Sequence, residues 1–309
     1  MQRSTELIPA LAVAVAAAAW GIYWLPQRAL EGAGLTGGWA TLGQYLVPLA
    51  LMAPVALVRW RQGKSTGVDM IVIGVLTGGA IACYANSFLL TDVVRALLLF
   101  YITPVWGTLI ECAVHRHLPT RARWVALLLA LAGLWVVFAE DTGIPWPQNA
   151  GDWLALTGGL MIAAGAARLN AVKPAGMFPQ LFAYFLYGSI IAGVLAWLLG
   201  AHLGPTPSGG TMLGVLPWLI LLALLFLIPS NAILLWGATR IRPGMFGILI
   251  LSEIIVGMVS AALWAGEAFG WREIVGGALI LAAGTLEIMW ARNRGGQDSR
   301  SPHPGAGLR

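Results

Sequence analysis

Glu253 is the residue with the strongest claim to chemistry. It lies in the middle of the apolar run ILSEIIVGMVSAALW (250–264), where a carboxylate is expensive and is tolerated only facing protein or a water-filled path. At helical spacing Glu253, Gly257, Ser260 and Trp264 share one face. A carboxylate there can exchange a proton, meet a substrate ammonium group or hydrogen-bond a neighbouring helix, and the residue types leave these uses open. Glu111, Arg168 and Glu287 differ, because each sits near a helix end and can reach water by snorkelling.

Other polar side chains accompany it at membrane depth. Cys83, Tyr84, Asn86 and Ser87 fall within an arc of roughly 160° of one helix, suited to a cavity wall. Tyr101, Thr108 and Cys112 share a face beside Pro104, and Ser230 and Asn231 follow Pro229. A proline inside a span frees a backbone carbonyl, so Pro104 and Pro229 are candidate hinges; a static kink capped by Thr103 or Thr108 is the plainer alternative for Pro104. Gln44 and Asn170 complete the set, since a lone amide in hydrocarbon must find a partner on another helix or on a ligand. The candidate substrate-binding residues are therefore Gln44, Tyr84, Asn86, Ser87, Tyr101, Asn170, Asn231 and Glu253, with Glu253 also the candidate for proton coupling. Trp24, Trp39, Trp146, Trp153 and Trp271 read as interfacial belt residues. Such a lining, rich in rings, amides and hydroxyls and poor in fixed charge, suits small zwitterions with apolar side chains. Phosphorylated solutes would call for Lys or Arg at membrane depth, and the sequence places none there.

The elements that position these residues follow from composition. The chain has 309 residues, 59% hydrophobic and 10% charged, against about 25% charged in ordinary soluble domains. Apolar runs long enough to span a bilayer fall at about 7–25, 39–58, 68–90, 96–114, 122–139, 153–172, 178–199, 213–236, 244–265 and 272–291. The reading is an all-α membrane protein with ten transmembrane helices. The longest connection is 140–152, which leaves no room for a folded extramembrane domain. With a cytoplasmic N-terminus, all of the 18 Lys and Arg except Arg28, Arg95 and Arg272 lie on the cytoplasmic side, the asymmetry of the positive-inside rule. The net charge of +5 thus reports topology, and nucleic acid is not an expected partner. The first run could be mistaken for a signal peptide, but the repeat described next requires it.

Residues 102–139 can be laid over 251–291, with Thr103-Pro104 on Ser252-Glu253, Gly107 on Gly257 and Gly133 on Gly284. Each half then holds five spans, and an odd number inverts the second half relative to the first. Inverted repeats are the architecture of secondary transporters, with the solute site near the midplane between them. The expected organisation is a cytoplasmic N-terminus (1–6), a first repeat (7–139), an extracytoplasmic linker (140–152), a second repeat (153–291) and a disordered cytoplasmic tail (292–309).

On the layout of five plus five spans, the TPVWGTLIE segment (103–111) and the WAGEAFGWREIVGGALILAAG segment (264–284), the sequence resembles the drug/metabolite transporter superfamily. Within it the chain looks like the ten-helix EamA-like exporters, closest to those that export aromatic amino acids. The resemblance implies a cavity lined by helices 1–4 and 6–9, with 5 and 10 peripheral. Where the family often has an acidic residue after helix 4, this chain has His115-Arg116, whereas the second half keeps Glu267.

An enzyme would need a catalytic constellation, and the chain has no HExxH, GxSxG, P-loop or Asp-rich motif. Its four histidines lie in loops or the tail, and Cys83 and Cys112 read as small core residues. No catalytic residue, metal or cofactor is expected. The sequence therefore points to an inner-membrane carrier exporting amino acids, aromatic ones included, by alternating access. A multidrug or cationic-metabolite exporter is the alternative, and a monomer suffices.

Overall fold

The computed structural model describes residues 7–36, 38–61, 67–115, 121–142, 147–172, 176–203, 206–241, 243–266 and 270–298. Among them there is no strand, and helices occupy each of the ten apolar stretches. In chain order they are α1 (Leu7–Gly21), α2 (Trp24–Gly32), α3 (Trp39–Arg61), α4 (Val68–Ser87), α5 (Val93–Phe100), α6 (Thr103–His115), α7 (Arg121–Thr142), α8 (Ala150–Ala171), α9 (Met177–Leu203), α10 (Gly209–Leu222), α11 (Ile228–Ala238), α12 (Pro243–Ile250), α13 (Ser252–Ser260) and α14 (Trp271–Asp298). Eight stretches, Leu7–Gly32 to Val93–Val114 and Ala150–Ala171 to Ile248–Ala265, are long and apolar enough to cross a membrane. The remaining two, α7 and α14, pack on each other. Large apolar side chains such as Trp197 and Leu225 face outward, the arrangement expected where lipid is the surrounding solvent.

Four spans are interrupted. The first breaks at Ile22–Tyr23, the fourth at Tyr101–Ile102 and the ninth at Leu251, while the eighth passes through a π-helical turn at Ala223–Leu227. Proline accounts for three of these. Pro26 and Pro104 fall in the first turn of α2 and α6, and Pro229 near the start of α11, positions where a missing N–H costs little because the preceding turn has already broken register. Pro104 thus begins a half-helix rather than kinking a continuous one; its side chain lies outside the described residues. The ninth break has no proline. There Ser252 Oγ bonds the Leu249 carbonyl (2.7 Å) and reaches Ala14 O of α1 (3.4 Å). Thr103, its counterpart in the sequence overlay, bonds Phe100 O (2.8 Å) and reaches Gly159 O of α8 (3.4 Å). The two hydroxyls make the same pair of bonds, one to their own helix and one to a partner helix.

Helix pairing repeats this equivalence. The fourth span packs on the sixth and the ninth on the first; the third packs on the sixth and the eighth on the first; the second meets the seventh, and the fifth meets the tenth. Exchanging each span with the one five places along leaves these contacts unchanged. Glycines permit the closest approaches. A Cβ on Gly21 would lie 2.6 Å from the Glu253 carbonyl, and Gly78 lies against the Tyr184 carbonyl and Gly188, so α1 and α13, and α4 and α9, touch backbone to backbone. The last helix continues to Asp298, past the predicted end at Ala291.

Candidate functional site

Glu253 sits in the first turn of α13, and the Cβ of a helical residue leans toward the helix N-terminus. Its carboxylate is thereby held at the break. Two phenols complete it. Tyr84 donates to Oε1 at 3.1 Å and Tyr101 to Oε2 at 2.7 Å, bringing together α4, the break between α5 and α6, and α13. Tyr84 is stacked on Phe100, with ring centroids 4.1 Å apart, and tilted against Phe88 at 4.6 Å, so its hydroxyl has little freedom to turn away. Glu253 is 8% exposed. Three residues predicted separately from sequence, Tyr84, Tyr101 and Glu253, are therefore one hydrogen-bonded unit.

The tyrosines converge on the interior instead of ringing the membrane surface. Tyr23, Tyr45, Tyr84, Tyr101 and Tyr184 are all buried. Tyr45 donates to the Gly78 carbonyl (2.6 Å) and meets the Tyr184 hydroxyl (3.3 Å), which Asn231 also engages. Tyr23 packs against Trp20, Phe88 and Phe226. A second polar group lies between α2 and α3, where Gln44 donates to Gln27 Oε1 (2.5 Å) and Gln27 to Thr41 Oγ1 (2.7 Å).

Several expectations change. Trp24 is not an interfacial residue: it is buried and donates to Ser260 Oγ at 3.0 Å, because the break at Ile22–Tyr23 turns its ring onto α13. Trp153 and Trp271 are exposed as expected, Trp39 is half-buried, and Trp146 lies outside the described residues. Trp264 does not share the Glu253 face. It is exposed, because a π-helical turn over Ala261–Ala265 advances each residue by less than the α-helical 100° and rotates it outward. Asn170 is exposed in the last turn of α8, away from the buried cluster. Ser87 is buried, and its hydroxyl hydrogen is spent on Tyr84 O (2.6 Å), leaving the oxygen as an acceptor. Pro229 follows the π-helical turn, which takes up the register shift that its ring imposes. Glu267, Arg116 and the tail from 299 lie outside the described residues, as do the side chains of His115 and Glu111.

Sequence reading missed a buried ion pair. Arg95 Nε meets Asp152 Oδ2 at 2.7 Å, tying the N-terminal end of α5 to the first turn of α8. Asp152 also accepts from Thr91 Oγ1 (2.8 Å) and the Gln148 N–H (2.9 Å), and Asn149 caps the same helix. Arg95 and Asp152 each lie near the predicted end of a span, where snorkelling to water is the ordinary expectation, and nothing local shows that they meet. At the other end of α8, Arg168 pairs with Asp69 of α4, both partly exposed.

An apolar cavity of about 570 Å³ opens between α2 and α10, lined by Leu30, Trp218, Leu225 and Phe226 among others. None of the predicted site residues lines it. Phe226 connects it to the aromatic centre, through Tyr23 and Trp20. Among the described residues no group of His, Cys, Asp and Glu side chains is placed to hold a metal ion.

Residues 7–139 match the EamA-like transporter family. A protein of Pseudomonas aeruginosa described as a probable biotin transporter is 27% identical over 264 residues, 82% of this chain and 88% of its own length. The biotin transporter of Escherichia coli K12 is 26% identical over 289 residues, 89% of this chain and 93% of its own. A solved crystal structure aligns over 94% of this chain and 99% of its own, with a TM-score of 0.54 at 16% identity, a likeness of fold. A bundle of membrane-length helices, broken where a buried carboxylate meets two phenols, defines an integral membrane protein built to pass a solute. These likenesses are those of a membrane transporter and not of an enzyme, with residues 7–139 similar to the EamA-like transporter family. The relatives are named for biotin, not for aromatic amino acids.

Proposed function

We propose that this protein is a secondary carrier of the bacterial cytoplasmic membrane. It crosses ten times with both termini inside and moves a small organic solute by alternating access past Glu253. The observation that carries the reading is the Tyr84–Glu253–Tyr101 unit, buried at the point where the broken fourth and ninth spans meet. Broken helices at a repeat interface are where transporters of inverted-repeat design hold their solutes. The placement of Lys and Arg supports the orientation.

Biotin is the first solute to test. Two relatives matched over most of their length carry that name, and a solute with a compact polar head on an apolar body suits an interior of phenol rings and carboxamides. Amino acids, aromatic ones included, are the second reading: a buried carboxylate flanked by tyrosine rings is a good partner for an ammonium group. Glu253 is the one residue of the unit able to couple solute movement to protons.

The test is uptake of labelled biotin, phenylalanine, tryptophan, methionine and threonine by the purified protein in liposomes, with and without an imposed pH gradient. Saturable flux of biotin above empty liposomes establishes the first reading, and flux of amino acids alone establishes the second. A protein that moves none of these but extrudes cationic dyes is a drug exporter instead.

A further inference from the structure

Three carboxamides in the interior are anchored in the same way. Gln44 Nε2 donates to Ala40 O (3.3 Å), Asn86 Nδ2 to Ala82 O (2.8 Å) and Asn231 Nδ2 to Leu227 O (2.8 Å), each to the carbonyl four residues back on its own helix. A carbonyl can only accept, so these bonds fix which end of each amide is nitrogen. In Gln44 the second hydrogen is also used, on Gln27 Oε1, whose own nitrogen is held by Thr41. Turning the Gln44 amide over would set its oxygen against the Ala40 carbonyl oxygen. That bond sets the orientation, and what Gln44 presents is a carbonyl oxygen.

Among the described residues that oxygen has no partner. Gln44 Oε1 and Asn86 Oδ1 are both buried without a hydrogen bond, in residues only 2% and 0% exposed. Buried polar atoms are nearly always paired, and an acceptor left open inside a transporter marks where something else completes the bond. Glu253 adds two more acceptor atoms, already met by phenols. Among the described residues the Trp20 and Trp106 indole N–H groups and the Ser230 hydroxyl are likewise buried without a hydrogen bond.

We infer that Gln44, oriented by its bond to the Ala40 carbonyl, is a specificity-determining acceptor for an N–H group of the solute, with Asn86 as a second acceptor. The solute head recognised is one that donates hydrogen bonds, a cyclic urea or an amine, and the carboxylate end is not what these residues read. The inference rests on the carrier reading above and deepens it by naming the chemistry of the head group.

The experiment is competition against labelled biotin uptake in liposomes containing the full chain. Biotin methyl ester blocks the carboxylate and spares the urea, while N-methylated biotin blocks a urea N–H. The ester is expected to compete within about threefold of biotin and the N-methyl compound at least about tenfold less well. Gln44→Met is expected to raise KM about tenfold with kcat changed less than about twofold, and to erase the difference between the two competitors. Equal competition by both analogues, or a Gln44→Met protein that still distinguishes them, overturns the inference while leaving the carrier reading intact. If biotin is not taken up, the same pair of blocks on labelled phenylalanine, its methyl ester against its N-acetyl form, decides the inference under the amino acid reading. If neither solute is carried, the carrier reading falls for both. Thermal stabilisation of the detergent-solubilised protein by the four analogues then decides the inference: preference for the esters upholds it, and no preference overturns it.

Discussion

At the residue scale the protein turns on a carboxylate that would be costly anywhere else in the bilayer. Two phenolic donors, one to each carboxyl oxygen, make Glu253 tolerable there. Replacing Glu253 by Gln keeps the size and one acceptor but removes the exchangeable proton. A carrier coupled through this residue should keep solute exchange without a gradient and lose its response to an imposed pH gradient. If wild-type and Glu253→Gln proteins respond alike, coupling does not run through Glu253. The phenols differ in what else they hold. Tyr84 is fixed between Phe88 and Phe100, whereas Tyr101 makes the shorter bond at a break in the backbone. Tyr101→Phe is therefore expected to lower transport roughly tenfold with a melting temperature close to that of the parent, as a lost hydrogen bond to a charged group costs about 1.5–3 kcal/mol. Flux assays and thermal melting in detergent check both halves of that statement.

Among elements, the breaks and the glycine crossings determine which spans can move and which cannot. Gly21 allows α1 to lie on the α13 backbone beside Glu253, and any side chain there must push the helices apart. Gly21→Leu is expected to destabilise by about 1–3 kcal/mol and to disturb the Trp24–Ser260 bond a turn away. A Cβ on Gly32 meets nothing within 4 Å, so Gly32→Ala is the matched substitution that should leave melting and flux unchanged. Equal effects of the two would show that the crossing is not tightly packed. The proline signals were legible in the sequence, but their outcome was not. Pro104 and Pro229, the candidate hinges, each follow an interruption that the chain makes about one turn earlier. The ninth span breaks with no proline at all, through a serine that only the alignment of the two halves singles out.

Across the whole molecule, the halves are joined by ion pairs at both ends of α8. The Arg95–Asp152 pair is buried, and removing one partner leaves an uncompensated charge, a loss of about 3–5 kcal/mol. Asp152→Leu alone should melt well below the parent, while Arg95→Met with Asp152→Leu should recover most of the difference; thermal melting of the single and double variants measures it. Topology is testable at the same scale. A cysteine at Ser208, between α9 and α10, should react with an impermeant thiol reagent added outside intact cells, and one at Thr239 should react only after permeabilisation. The reverse pattern would invert the proposed orientation.

The sequence by itself determined the class of architecture. Apolar run length, sparse charge and the bias of Arg and Lys are properties of the chain read against a bilayer of known thickness, and they need no knowledge of which helix meets which. It also picked out Glu253, Tyr84 and Tyr101, because each is a polar residue out of place in hydrocarbon. The tertiary structure decided the partnerships. That Tyr84 and Tyr101 share one carboxylate, that Trp24 turns inward to Ser260, that Arg95 finds Asp152 and that Asn170 stays outside are facts of separations between 57 and 236 residues, or of exposure. Helical periodicity gives the face a residue occupies within one helix, and a break or π-helical turn resets even that. Which neighbour the face meets is fixed only when the helices pack.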